Sequence, residues 1–185
     1  MALAERSNEL RVLCWLQGVL AEADLLAQRP ASAHARLAPL LERIRPEASY
    51  LKETYPLVAW AELEVGEVAQ AQARLEGIIT LARKEGMRLT LAEALRVQAL
   101  AWSRQERWAE AEVALEEALA LCRAMATPFA EAKTLYACGR LSQAKGEPEQ
   151  ARDQLEAALT ILNRLGEQLY GRQVEQALAR KGAEE

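Results

Sequence analysis

Of the chain's 185 residues, 37 are Ala, 30 Leu and 25 Glu, against 8 Val, 4 Ile and 6 Thr. A sheet core draws on β-branched and aromatic side chains, so a sheet of useful size is excluded and helix is expected throughout. The net charge of −4, from 23 interspersed cations and 27 anions, supplies no basic stripe, so no nucleic-acid partner is expected.

In chain order, periodicity and turn residues predict nine helices, over about 4–27, 31–45, 47–65, 68–85, 87–105, 108–125, 127–145, 148–165 and 167–181. The first carries charge within six residues and has no signal-peptide layout. Gln28-Arg29 and Pro30 separate it from the second, Pro being suited to a helix's first turn. Pro56 falls inside the third, where it should kink the helix or delay its start to about Thr54. Gly66, Glu106-Arg107 and Gly146-Glu147 mark further turns, Gly86 and Gly166 close second helices, and Thr127 is the expected N-cap of the seventh. No apolar run approaches the ~18 residues of a membrane span, so no membrane partner is expected.

The chain repeats itself at one fixed interval of about 40 residues, in the range of helical-hairpin repeats. That shift brings apolar positions into register: Ala71, Ala111 and Ala151; Leu75, Leu115 and Leu155; Ile78, Ala118 and Ala158; Leu81, Leu121 and Ile161; Ala59, Ala99 and Gly139; Leu89, Phe129 and Leu169. An earlier copy precedes the second at a slightly shorter interval, with Ala35-Arg36-Leu37 over Ala73-Arg74-Leu75. The expected organisation is one solenoid with repeats at 4–45, 47–85, 87–125 and 127–165 and a terminal half-repeat helix, 167–181. Small residues mark close helix approach and large ones fill between them, so the expected fold is all-α, a right-handed solenoid of antiparallel hairpins with a concave and a convex side. The interval from Ala71 to Ala111 is no multiple of seven, which argues against a coiled-coil bundle.

These columns resemble the tetratricopeptide repeat, most clearly at Leu135, Gly139, Gly146, Ala151, Leu155 and Ala158. The repeat is longer than that family's usual length of about 34 residues. In that respect it is similar to the helical sensor arms of the maltose-regulon activator and other STAND-class signalling ATPases. The resemblance implies that first helices line the concave groove. It maps that groove to Trp60, Leu63 and Glu64; to Glu93, Arg96, Leu100 and Arg104; and to Lys133, Tyr136, Arg140 and Gln143. Arg96 and Arg140 could fork a carboxylate or phosphate, with Trp60 and Tyr136 as contact area, or the Arg could simply pair with Glu93 or Glu64. The chaperone-tail clamp of the family, with its Lys and Asn, is not matched: those places hold Pro56/Trp60, Arg96/Leu100 and Tyr136/Arg140.

No phosphate-cradling loop, HExxH, CxxC or GxSxG occurs, so no cofactor, metal or enzymatic activity is expected. His34 lies alone in an Ala-rich helix. The pairs Glu62/Glu64, Glu116/Glu117 and Glu184/Glu185 read as solvated faces and a frayed tail. Cys14, Cys122 and Cys138 read as small buried thiols of a cytoplasmic protein. Trp102 and Trp108 fit core positions, while Trp15 has no assigned place. The expected function is a non-catalytic interaction or sensor module that binds a protein, peptide or small effector and belongs to a larger signalling ATPase. The alternative is a transcriptional regulator's sensor for a sugar or ring, held by Trp60 and Tyr136. The apolar residues Leu169, Val174 and Leu178 of helix 167–181 should either fold back as a cap or form a homodimer contact.

Overall fold

The computed structural model describes residues 2–43 and 48–179. Ten helices and no strand occur among them: α1 (Ala2–Leu26), α2 (Pro30–Arg43), α3 (Ser49–Lys52), α4 (Tyr55–Glu64), α5 (Val68–Glu85), α6 (Arg88–Ser103), α7 (Trp108–Ala124), α8 (Pro128–Lys145), α9 (Pro148–Leu165) and α10 (Leu169–Ala179). The expected first repeat boundary, at 45–47, lies outside the described residues, as do residues 180–181 of the terminal helix and the pair Glu184/Glu185.

Proline explains the tenth helix. The single helix expected over 47–65 is two, because Pro56 lacks the N–H that an interior position would donate. The chain turns after Lys52 and restarts at Tyr55 with Pro56 in the first turn of α4. There the Thr54 carbonyl accepts the amides of Leu57 at 3.0 Å and Val58 at 3.1 Å.

The chain divides into two compact units, Met1–Glu85 and Gly86–Glu185. In the first, α1 pairs with α2 and α4 with α5, α2 packs on α4, and α1 touches α3 and α4. In the second, α6 pairs with α7 and α8 with α9, α8 also packs on α6 and α7, and α10 closes on α9 and α8. The repeat columns are the cores of these hairpins: Ala71, Ala111, Ala151, Leu75, Leu115 and Leu155 are all buried. At Gly139 a Cβ would sit 2.6 Å from Leu155 Cγ, so only Gly permits that approach. The column Leu89, Phe129 and Leu169 departs from this pattern and stays well exposed.

The hairpin turns share one device. Gly66, Gly86, Gly146 and Gly166 have positive φ, and so do Gln28 (58°), Glu106 (58°) and Ala126 (51°). At six of these seven positions the following amide bonds the carbonyl five residues back, as Glu67 does to Glu62 at 2.8 Å and Arg107 to Trp102 at 3.0 Å. This is the Schellman closure, which satisfies carbonyls left open at a helix end. Thr127 stands at the N-cap of α8, but its side chain makes no cap hydrogen bond. Its hydroxyl instead donates back to the Cys122 carbonyl at 3.2 Å, so it serves the turn behind rather than the helix ahead. Glu167 does cap α10: its carboxylate accepts the amides of Leu169 at 3.0 Å and Tyr170 at 2.8 Å.

The terminal helix takes the fold-back form. Tyr170, Val174 and Ala177 are buried, Leu178 is half-buried and Leu169 is exposed. Val174 is thus a core residue of the second unit.

Candidate binding face

Two kinds of polar side chain stand on the first helix of each hairpin: those that hold the hairpin together and those that face solvent. The first kind follows the repeat. Asp24 accepts Arg36 Nε at 2.6 Å and Arg29 Nη2 at 2.6 Å. One repeat later, Glu62 accepts Arg74 Nη2 at 2.7 Å. In the fourth copy Ser142 donates to Gln154 Oε1 at 3.0 Å. The pairs Asp24–Arg36, Glu62–Arg74 and Ser142–Gln154 share one sequence separation, and each ties the end of a first helix to the start of the next. Hydrogen bonds from Arg36 and then Arg29 hold the Asp24 carboxyl below its ordinary range. Glu62 is 0% exposed, which corrects its reading as part of a solvated face; Arg74, which also lies over the Tyr55 ring, is what permits its burial.

In the first unit, Trp60 is 8% exposed and Leu63 is also buried. The Trp60 indole donates to Glu64 Oε1 at 3.0 Å, four residues on. The ring therefore offers little free face for stacking.

In the second unit the expected residues separate into two groups. Glu93, Arg96 and Lys133 form an ion cluster between α6 and α8, with Arg96 Nη2 at 2.8 Å and Lys133 Nζ at 2.6 Å from the Glu93 carboxylate. Arg96 and Lys133 are each 7% exposed. Burial on its own would raise the Glu93 carboxyl; the charges and hydrogen bonds of Lys133 and Arg96 outweigh it and bring the pKa down to about 2. Lys133 also lies over the rings of Phe129 (5.1 Å) and Tyr170 (5.9 Å), and Tyr170 meets Phe129 and Tyr136 edge-on. This cluster joins α6, α8 and α10. Arg96 is thus engaged by Glu93, the simpler of the two outcomes open to it.

The second group faces outward. Arg140 and Arg104 are exposed, while Leu100, Tyr136 and Gln143 are half-buried. Gln143 donates to the Ala177 carbonyl at 2.8 Å and so fixes α10. Among the described residues no carboxylate meets Arg140; its guanidinium reaches the Tyr136 hydroxyl at 3.5 Å. What remains open is a cation beside an aromatic ring, with Leu100 on the equivalent turn of α6.

Sequence reasoning missed the Glu93–Lys133 contact, which spans one full repeat and leaves no local signal. The Asp24–Arg36 and Glu62–Arg74 ties were visible in principle, since acid and Arg recur together when the first copy is laid over the second.

Elsewhere the chemistry is sparse. His34 Nε2 lies 3.6 Å from Glu67 Oε2. The three thiols are free, with Cys14 and Cys122 buried and Cys138 half-buried. Burial raises all three, Cys138 to about 12, which suppresses the nucleophilic thiolate. Among the described residues no group of three His, Cys, Asp or Glu could hold a metal, and no helix is long and apolar enough to cross a membrane.

No protein-family model matches the sequence, and no curated protein does. Among solved structures the chain is similar to a candidate kinesin light chain of Podosopora anserina with nearly identical TPR-like repeats. The two are 20% identical, at a TM-score of 0.57 over 89% of this chain and 82% of that one. That likeness, with the helix order above, shows the fold: an all-α, tetratricopeptide-like solenoid of antiparallel hairpins.

Proposed function

We propose that this chain is a non-catalytic interaction module that takes a carboxylate-bearing protein or peptide segment on the first-helix face of its second unit. The supporting observation is Arg140, an exposed cation that no described carboxylate compensates, beside the Tyr136 ring. Arg140 forks the ligand's carboxylate, Tyr136 and Leu100 supply apolar contact, and Arg104 adds positive potential. The neighbouring cluster of Glu93, Arg96 and Lys133 keeps the two helices at fixed spacing, so that the face is preorganised. The high pKa of the thiols and the absence of any motif for phosphate or acyl chemistry support a binding role without catalysis. Free thiols suit a reducing, cytoplasmic setting. The long repeat supports a finer reading, a sensor arm of a STAND-type signalling ATPase, in which ligand binding would bias a nucleotide-dependent switch.

Fluorescence anisotropy with short labelled peptides tests the binding reading. The peptides should pair Asp or Glu with one aromatic or aliphatic residue, and amidated versions without the acid serve as controls. Saturable binding is expected only for the acidic set, weakened about tenfold by Arg140→Ala and falling with added salt. Equal affinity for acidic and amidated peptides, or no loss in Arg140→Ala, would overturn it.

A further inference from the structure

Arg140 stands between two contacts that α8 makes with α10. One turn before it, the Tyr136 ring meets the Tyr170 ring edge-on, with centroids 6.2 Å apart. One turn after it, the Gln143 amide donates to the Ala177 carbonyl at 2.8 Å. Ala177 lies near the end of α10, where helix carbonyls have no intrahelical partner, so this bond closes an open acceptor. The Tyr170 ring also lies 5.9 Å from Lys133 Nζ, and Lys133 in turn holds Glu93 of α6 at 2.6 Å. Docked α10 therefore fixes both flanks of Arg140 and, through Lys133, supports the spacing of α6 and α8.

The same helix is weak in its own sequence. It has 11 residues, and helices shorter than about 12 residues are marginal in water without packing. Its buried stripe is Tyr170, Val174 and Ala177, one side chain per turn, while Arg172, Glu175 and Gln176 are exposed. Gly171 weakens it further, since Gly is the poorest helix former after Pro. A Cβ at Gly171 would meet nothing within 4 Å, so no neighbouring element requires glycine there, as Leu155 does at Gly139. The formation of α10 thus depends on its docking, and elements of this kind open locally without the rest of the chain unfolding.

We infer that the docking of α10 is a conformational switch for the Arg140 face, which takes its carboxylate-bearing segment tightly when α10 is docked and weakly when it is released. Tyr170, 2% exposed, is a positioning residue: it lies out of a ligand's reach and acts through Tyr136 and Lys133. With α10 released, Tyr136 loses its edge contact and Lys133 loses the Tyr170 ring, so the apolar wall beside Arg140 is no longer held in place. The apparent affinity then scales with the docked fraction. By linkage, the bound segment stabilises docked α10 by the same factor. The switch rests on the Arg140 face being the ligand site, and it adds what regulates that site.

Two measurements on the full chain separate the switch from the ligand site. One is anisotropy with a labelled peptide in which Leu is flanked by Glu on both sides; the other is hydrogen exchange of the α10 amides without peptide. Gln143→Ala should speed α10 exchange about tenfold and weaken the peptide about tenfold. Adding Gly171→Ala, at a buried position, should slow that exchange and recover about threefold of the lost affinity. Tyr170→Phe keeps the ring and should bind within about twofold of the unmodified chain, whereas Tyr170→Ala should lose about tenfold. Were Gln143 only a ligand contact, Gly171→Ala would rescue nothing, and that result overturns the switch. Full affinity in Gln143→Ala and Tyr170→Ala, or α10 exchange unchanged by Gln143→Ala, overturns it as well while leaving the ligand site standing. A peptide that fails to bind the unmodified chain removes the Arg140 reading, and the switch with it.

Discussion

Glu106 and Ala126 sit in the left-handed region although neither is Gly, Asn or Asp. A Cβ in that conformation costs roughly 1–2 kcal/mol, part of which Gly returns through its freer unfolded chain. Glu106→Gly and Ala126→Gly should therefore each raise the stability of the folded chain by about 0.5–1 kcal/mol, and Gly146→Ala should lower it by a similar amount. Urea midpoints measure all three. A lower midpoint for Glu106→Gly would show that its turn is not closed as described. The same residues mark a limit of sequence reading. Gly66, Gly86, Gly146 and Gly166 announce their turns, whereas Gln28, Glu106 and Ala126 are ordinary helix residues placed there by register. Gln28, Glu106 and Gly66 become equivalent only once the copies are laid over one another.

Between elements, burial depends on pairing across helices. Glu93 has a pKa of about 2 in the folded chain, against an ordinary value of about 4.3 unfolded. A depressed carboxyl contributes stability that is present above the unfolded pKa and lost as pH falls through the folded one. Here that contribution is present above about pH 5 and disappears between pH 4 and pH 2; it is of order 3 kcal/mol. Glu93→Gln should destabilise the chain by about 2–4 kcal/mol at pH 7, and by clearly less at pH 3, in paired urea titrations. An equal loss at both pH values would mean that the carboxylate's charge is not what joins α6 to α8. Apolar columns such as Leu75/Leu115/Leu155 were legible because size recurs at a fixed interval. The Glu93 cluster was not, because its members lie on different helices and α10 brings a third ring from far along the chain. Pro56 was legible for a local reason, its missing N–H, and the restart of α4 at Tyr55 follows from it.

At the scale of the whole molecule, each unit is a set of hairpins with its own buried columns and its own polar ties. The first has Asp24–Arg36 and Glu62–Arg74; the second has Glu93–Lys133 and Ser142–Gln154. Fold class and repeat length were readable from composition and period because a solenoid writes the same packing problem several times. The candidate face was readable only as a set of positions. Which of its cations are engaged depends on partners that period alone does not specify: Arg96 and Lys133 meet Glu93, while Arg140 reaches Tyr136. In the proposed function, the outward face of α6 and α8 around Arg140 receives an acidic segment. Its most direct test is a backbone amide NMR titration with an acidic peptide selected by anisotropy. Saturable shifts centred on Leu100, Tyr136 and Arg140 are expected, and they should vanish in Arg140→Ala. Shifts centred on other helices, or unchanged by that substitution, would contradict it.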